Sequence, residues 1–169
     1  GRVRLSRVNL FQVAALTVDR EIPDESIDVV VNVPEDIEVT ADFDLMLRAL
    51  GNLVRNAVRY AGTAGPIEVT AAVGAITATI TVSDHGPGVP SDMIDQIFEP
   101  FYRVESSRGR DSGGVGLGLA IVRTAVLACH GRVFASNRPE GGFTVSIELP
   151  LAPAPTPGDS SSNNAGAKA

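Results

Sequence analysis

Apolar residues along this chain recur at two spacings, and the order in which those spacings alternate leaves few possible folds. Ile27, Val29, Val31 and Val33 fall on every second position up to Pro34, the period of a strand. Ile67, Val69, Ala71 and Val73 repeat the pattern, as do Ile76, Ala78, Ile80 and Val82 and then Phe143, Val145, Ile147 and Leu149. Shorter extended stretches are expected at Val3 to Val8, Ile37 to Val39 and Val133 to Ala135, with a Gly141-Gly142 turn between the last two strands. Helical spacing takes over at Leu10 to Arg20 behind Asn9, a good N-cap, at Asp42 to Tyr60, and at Val115 to His130 before Gly131, a natural residue to follow a helix. Helices and hairpins come in mixed order, not in regular strand–helix alternation. Strands that alternate have one apolar face, so the expected architecture is one sheet with helices packed on one side.

Length and charge narrow the function. The 169 residues suffice for one domain with a real core. A net charge of −6 argues against a nucleic-acid partner, which demands clustered Lys and Arg. The single cysteine, Cys129, sits in an apolar helical run and reads as a core residue of a reducing compartment. No apolar run approaches the ~18 residues that span a bilayer, and the chain is expected to be a cytosolic piece of something longer. From Ala152 to Ala169 no large apolar residue occurs, so this tail cannot offset its ordering entropy and is expected to be disordered.

Four segments could carry chemistry. On the helix of Asp42 to Tyr60, Met46, Leu47, Leu50, Leu53, Val54 and Ala57 share one arc, and Asn52, Asn56 and Arg59 lie opposite, with Tyr60 at the edge. Asn is poor in helix interiors. Two of them at i, i+4 are either a solvated face or two amide carbonyls aimed at one ligand or metal, with Arg59 beside them for phosphate. In Asp84-His85-Gly86-Pro87-Gly88, Asp84 continues the core phase of the preceding strand. It is either the cap of a turn or a buried acid waiting for a donor such as a purine amino group. Gly113 to Gly118 places alternating glycines before a helix, which is either a flexible lead-in or an anion site. Between these, Phe98 and Phe101 look like anchors for an irregular stretch from about Pro100 to Gly114, a candidate lid carrying Arg103, Arg108 and Arg110. The arginines either reach phosphates or are solvated. His85 and His130 have neither metal-ligand nor triad spacing.

In this order the segments resemble the boxes of bacterial two-component sensor histidine kinases. Asn52-Leu-Val-Arg-Asn56-Ala-Val-Arg59-Tyr60 is similar to their asparagine box, and Asp84-His-Gly86-Pro-Gly88 to the first glycine box. Phe98-Glu-Pro-Phe101-Tyr-Arg103 resembles the phenylalanine box, and Gly114-Val-Gly116-Leu117-Gly118-Leu119 the second glycine box. The resemblance covers Val3 to Leu151. It implies an α/β (α+β) two-layer sandwich, the Bergerat fold shared with gyrase, heat-shock protein 90 and MutL, with a mixed sheet and helices on one face. It implies a catalytic domain at 1–151 and a tail at 152–169.

The resemblance further implies that Asp84 holds the adenine amino group and that Asn56 ligates Mg²⁺. Asn52 is then near the phosphates, with Arg59 and Arg103 neutralising them, and these three form the catalytic set. Tyr60, Gly86, Gly88, Gly114, Gly116, Leu117, Gly118 and Leu119 complete the ATP site. Hydrolysing relatives carry a Glu four residues before the metal-binding Asn, and here that position is Asn52. This favours phosphoryl transfer to a protein over ATP hydrolysis. The accepting histidine of such kinases follows a His-Glu or His-Asp pattern, and neither occurs in this sequence. The implied partners are therefore a dimerisation domain carrying that histidine and, through it, a response regulator. The fragment is expected to be a monomer, and the whole protein a homodimer anchored in the bacterial cell membrane. Competing readings are a nucleotide-gated regulatory module, an ATP-hydrolysing conformational machine, and a serine kinase of the anti-sigma type.

Overall fold

A computed structural model describes residues 1–22, 25–102 and 118–156. Among the described residues seven strands and three α-helices follow in the order β1 (Ser6–Asn9), α1 (Leu10–Glu21), β2 (Val29–Asn32), β3 (Glu38–Ala41), α2 (Phe43–Ala61), β4 (Ile67–Val73), β5 (Thr77–Ser83), a 3₁₀ helix (Ser91–Gln96), α3 (Gly118–Ala128), β6 (Arg132–Asn137) and β7 (Phe143–Pro150). The main sheet has the order β2-β4-β5-β7-β6. β2 runs parallel to β4 and the other neighbours are antiparallel, so the sheet is mixed as expected. β1 and β3 form a separate antiparallel pair, and Leu151 bridges to Val39 beside it.

One face of the sheet is apolar and the helices cover it. Ile67, Val69, Ala78, Ile80, Val82, Val145, Ile147 and Leu149 are buried there. α1 contributes Leu10, Val13, Ala14 and Thr17, the i, i+3, i+4, i+7 set of an amphipathic helix. α2 contributes Met46, Ala49, Leu50, Leu53, Val54, Ala57 and Ala61, with Leu47 half-buried at the border. The opposite face carries hydroxyls that pair across strands, Thr81 with Ser146 and Ser83 with Thr144. That is why Thr and Ser alternate with the core residues of β5.

The helix ends are set by local chemistry. Asn9 Oδ1 accepts from the Gln12 amide at 3.0 Å, as its N-cap reading requires. Asp42 is the cap of α2, not its first residue, and its Oδ1 accepts from Leu45 N at 3.1 Å. At the end of α3, His130 N donates to Leu127 O and Gly131 N to Val126 O, the two bonds of a Schellman motif. The left-handed residue is therefore His130, with φ 59°, and not Gly131 as expected. Gly131 is required for space: a Cβ there would strike Glu148 O.

Two further expectations are corrected. Ile76 lies in the β4–β5 turn and is 79% exposed, so it is not on the core face. Phe101 is 72% exposed with φ 64°, so Phe98 alone packs against the core. Near the boundary expected at 151/152, Ala152 N donates to Glu38 O and Arg7 donates to Pro153 O. The rest of the expected tail, from 157, and most of the expected lid lie outside the described residues. Among the described residues no helix is long and apolar enough to cross a membrane.

Candidate functional site

α2 supplies the floor of the site. Its buried arc fixes which way the helix faces, which leaves Asn52 and Asn56 half-buried and Arg59 and Tyr60 exposed on the free side. Gly118, the first described residue of α3, sits over the two asparagines. A Cβ on Gly118 would lie 3.6 Å from Asn52 Oδ1 and from both terminal atoms of the Asn56 amide. The two amides therefore face the beginning of a helix, where backbone N–H groups and the helix dipole favour an anion.

The two asparagines are not equivalent. Asn52 Nδ2 donates to Arg48 O at 3.0 Å, and its Oδ1 accepts from Arg55 at 2.9 Å. Arg55 is in turn paired with Glu21 of α1. The Asn56 amide makes no hydrogen bond among the described residues, so its carbonyl oxygen is available.

Eight residues along α2 from Asn52, about 12 Å at 1.5 Å per residue, the turn after β5 meets the helix. A Cβ on Gly86 would lie 2.6 Å from Ala61 Cβ and 3.2 Å from Tyr60 O, so only glycine lets the turn dock here. Asp84 is 8% exposed. Its Oδ1 accepts from Gly86 N at 2.9 Å and Phe143 N at 3.2 Å, and its own amide donates to Phe143 O. Among the described residues nothing donates to Oδ2. The residue is mostly buried, but Oδ2 is not among its sealed unpartnered atoms, so it is open to a donor from outside the fold. Gly88 has φ 73°, which favours glycine.

Both histidines have structural roles. Pro66 O can only accept, so His85 Nδ1 carries the proton it shares with that carbonyl at 2.9 Å, and Nε2 accepts from Arg138 at 3.4 Å. His130 ends α3 at the far side from Gly118. Cys129 is a core residue as expected: its sulfur accepts from Asp42 N, and burial pushes its thiol pKa up.

Of the expected site residues, the structure brings Asn52, Asn56 and Gly118 together, and Arg59, Tyr60, Asp84 and Gly86 lie at the same helix, whereas Gly88 packs against Asn137 and Gly142 of the β6–β7 hairpin. Leu119 is partly buried against the core. Arg103, Gly114, Gly116 and Leu117 lie outside the described residues, as do Arg108 and Arg110. Sequence reasoning did not single out Asn137 and Arg138, which reach the Asp84 turn from the β6–β7 hairpin. Their only signal was position, just before the Gly141-Gly142 turn.

The sequence model of the family described as histidine kinase-, DNA gyrase B-, and HSP90-like ATPase matches residues 41–153. Signal transduction histidine-protein kinase BaeS of Escherichia coli K12 is 36% identical over 144 residues, covering 85% of this chain and 31% of that protein. Sensor histidine kinase CpxA of the same organism is 53% identical over 103 residues, 61% of this chain and 22% of that protein. The chain thus spans about a third or less of these curated relatives. Among solved structures, the mycobacterial sensor histidine kinase MprB superposes with a TM-score of 0.77 at 26% identity, covering 89% of this chain and all of that one.

Proposed function

Because this chain belongs to the histidine kinase-, DNA gyrase B- and HSP90-like ATPase family, we propose that it is the ATP-binding, phosphoryl-donating domain of a two-component sensor histidine kinase. One observation carries this reading. Two ligand-ready features, Asp84 Oδ2, to which nothing donates among the described residues, and the Asn56 carbonyl under Gly118, stand beside one helix about 6–8 Å apart along its axis. The names of the similar proteins, signal transduction and sensor histidine kinases, point the same way.

In this reading the adenine amino group donates to Asp84 Oδ2 against the end of α2, with Gly86, Gly88 and Tyr60 around the base. The phosphates extend toward Gly118, where Arg59 and Arg103 balance their charge and Gly114, Gly116, Leu117 and Leu119 close the site. Asn56 offers Mg²⁺ a neutral oxygen ligand. Among the described residues no group of three or more His, Cys, Asp and Glu could hold a metal, which fits an ion that takes few protein ligands and keeps its waters. Bound there, Mg²⁺ would neutralise charge on the phosphates. Asn52 has no basic lone pair, so nothing at its position can take a proton from water. A neutral imidazole on another domain needs no such base: its nitrogen bonds to the γ-phosphorus as the bond to the β-phosphate oxygen breaks and ADP leaves. The accepting histidine belongs to a dimerisation domain that hands the phosphoryl group to a response regulator, in a longer, membrane-anchored protein.

The test mixes the chain and radiolabelled ATP with a separately supplied helical domain carrying the accepting histidine. Acid-labile label on that domain is expected. Nucleotide binding without transfer would favour a regulatory module, and acid-stable label on an anti-sigma antagonist would favour a serine kinase.

A further inference from the structure

We propose that Asn137 and Arg138, in the β6–β7 hairpin, are positioning residues that hold the Asp84 turn in register and so set selectivity for adenine over guanine. The proposal rests on the nucleotide reading above. Asn137 grips Val89 at two points: its Oδ1 accepts from Val89 N at 2.9 Å and its Nδ2 donates to Val89 O at 2.6 Å. The fit is close, for a Cβ on Gly88 would lie 2.5 Å from Asn137 Oδ1.

Arg138 holds the other end of the same turn. Its Nη1 donates toward Asp84 O at 3.3 Å and His85 Nε2 at 3.4 Å. The same nitrogen pairs with Glu68 on β4 at 3.2 Å, and Nε lies 3.5 Å from Glu140. The Arg138 side chain is 23% exposed. One hydrogen-bonding group thus ties β4, the turn after β5 and the hairpin together. At the hairpin's far side a Cβ on Gly142 would run into Asp84 O, and Phe143 N donates to Asp84 Oδ1. Asp84 is therefore held at its carbonyl and at one carboxylate oxygen, which leaves Oδ2 in a fixed direction.

That direction is what discriminates bases. Adenine carries an amino donor where guanine carries a carbonyl acceptor, and a fixed carboxylate oxygen accepts the first and repels the second. A carboxylate free to swing would meet either base less selectively. Among the described residues, the side chains of Asn137 and Arg138 bond to Val89, Glu68, Asp84, His85 and Glu140, and not to Asn52, Asn56 or Gly118.

Asn137→Ala and Arg138→Ala are to be titrated in the 169-residue chain with a non-hydrolysable ATP analogue, its GTP counterpart and inorganic tripolyphosphate. Each variant is expected to weaken ATP-analogue binding about five- to tenfold, the loss of one or two net hydrogen bonds. The preference for ATP over GTP should fall with it, and tripolyphosphate affinity should stay at the wild-type value. Equal losses for all three ligands, or an unchanged ATP-to-GTP ratio, would overturn the positioning role. If either alanine variant fails to fold by circular dichroism, Asn137→Asp and Arg138→Lys replace it. The first keeps the acceptor for Val89 N and the second keeps the charge beside Glu68, and the same criteria apply. Wild-type protein that binds neither nucleotide would overturn both the nucleotide reading and this one, whereas wild-type binding with indifferent variants removes only this one.

Discussion

Asp84 combines two oxygens with different duties. Oδ1 is a structural acceptor for Gly86 N and Phe143 N, and Oδ2, without a donor among the described residues, is the oxygen the proposed function gives to the ligand. In Asp84→Asn the amide oxygen can keep the structural role while the amide nitrogen takes the place of Oδ2, where it would face the adenine amino group as a second donor. The fold should survive, and binding should fall at least tenfold, the ~1.5–3 kcal/mol of a charge-assisted hydrogen bond. Calorimetry showing full affinity in a folded variant would remove the adenine role. Asn56 makes a separate claim. Asn56→Ala should abolish most of the gain in triphosphate affinity on adding Mg²⁺, with ADP binding in EDTA little altered. An unchanged Mg²⁺ effect would place the metal elsewhere. The phase of Asp84 was legible because strand period alone decides which face a side chain takes. Arg138 was not legible, because its partners Glu68, Asp84 and His85 lie more than 50 residues away in sequence.

At the scale of elements, the joint at Asp42 has consequences for stability. Its carboxylate caps α2 through Leu45 N and also accepts from Arg4 N at 2.8 Å, while its amide donates to Cys129 at the end of α3. The Arg4 amide, and then that of Leu45, hold its carboxyl below the ordinary value of 3.8. A depressed folded-state pKa adds stability above the unfolded value that is lost as pH falls through the folded one. Asp42→Ala should cost about 1–2 kcal/mol at pH 7, as for other lost caps. Thermal melts should show the gap from wild type narrowing below pH 4, and a gap that stays constant to pH 2 would argue against a role for the charge. Element positions were largely legible, since alternation marked β2, β4, β5 and β7 and helical arcs marked α1 and α2. The misreadings share a cause. Ile76, Phe101 and Gly131 sit where an element ends, and there turn geometry and close backbone contacts override hydrophobic period and residue preference. His130 accepts a left-handed backbone because Gly131 is needed one position later, against Glu148 O.

For the whole molecule, the placement of the histidines bears on self-labelling. α3 is about 16 Å long at 1.5 Å per residue, and His130 lies beyond its far end from Gly118. His85 has both ring nitrogens engaged, with Pro66 O and Arg138. Neither can stand in line with a γ-phosphate near Gly118, and alignment is most of what such a site contributes. Radiolabelled ATP should therefore leave no acid-labile label on this chain by itself. Label lost on changing His85 or His130 would overturn the assignment of the acceptor to another domain. The small β1–β3 pair has a different consequence. Arg4 is bound to Asp42, Arg7 to Pro153, and Leu151 is bridged to Val39, so the two ends of the folded body meet at one place. Thr77 pairs with Pro150 and Ser83 with Thr144, so that place is at the end of β5 away from Asp84, about 20 Å along the strand at 3.3 Å per residue. The backbone nearly closes into a ring whose seam lies opposite the Asp84 turn. Whatever is joined at either side of that seam pulls on the same corner, and a tug there has two routes to the proposed site, along the sheet and, through Asp42, along α2.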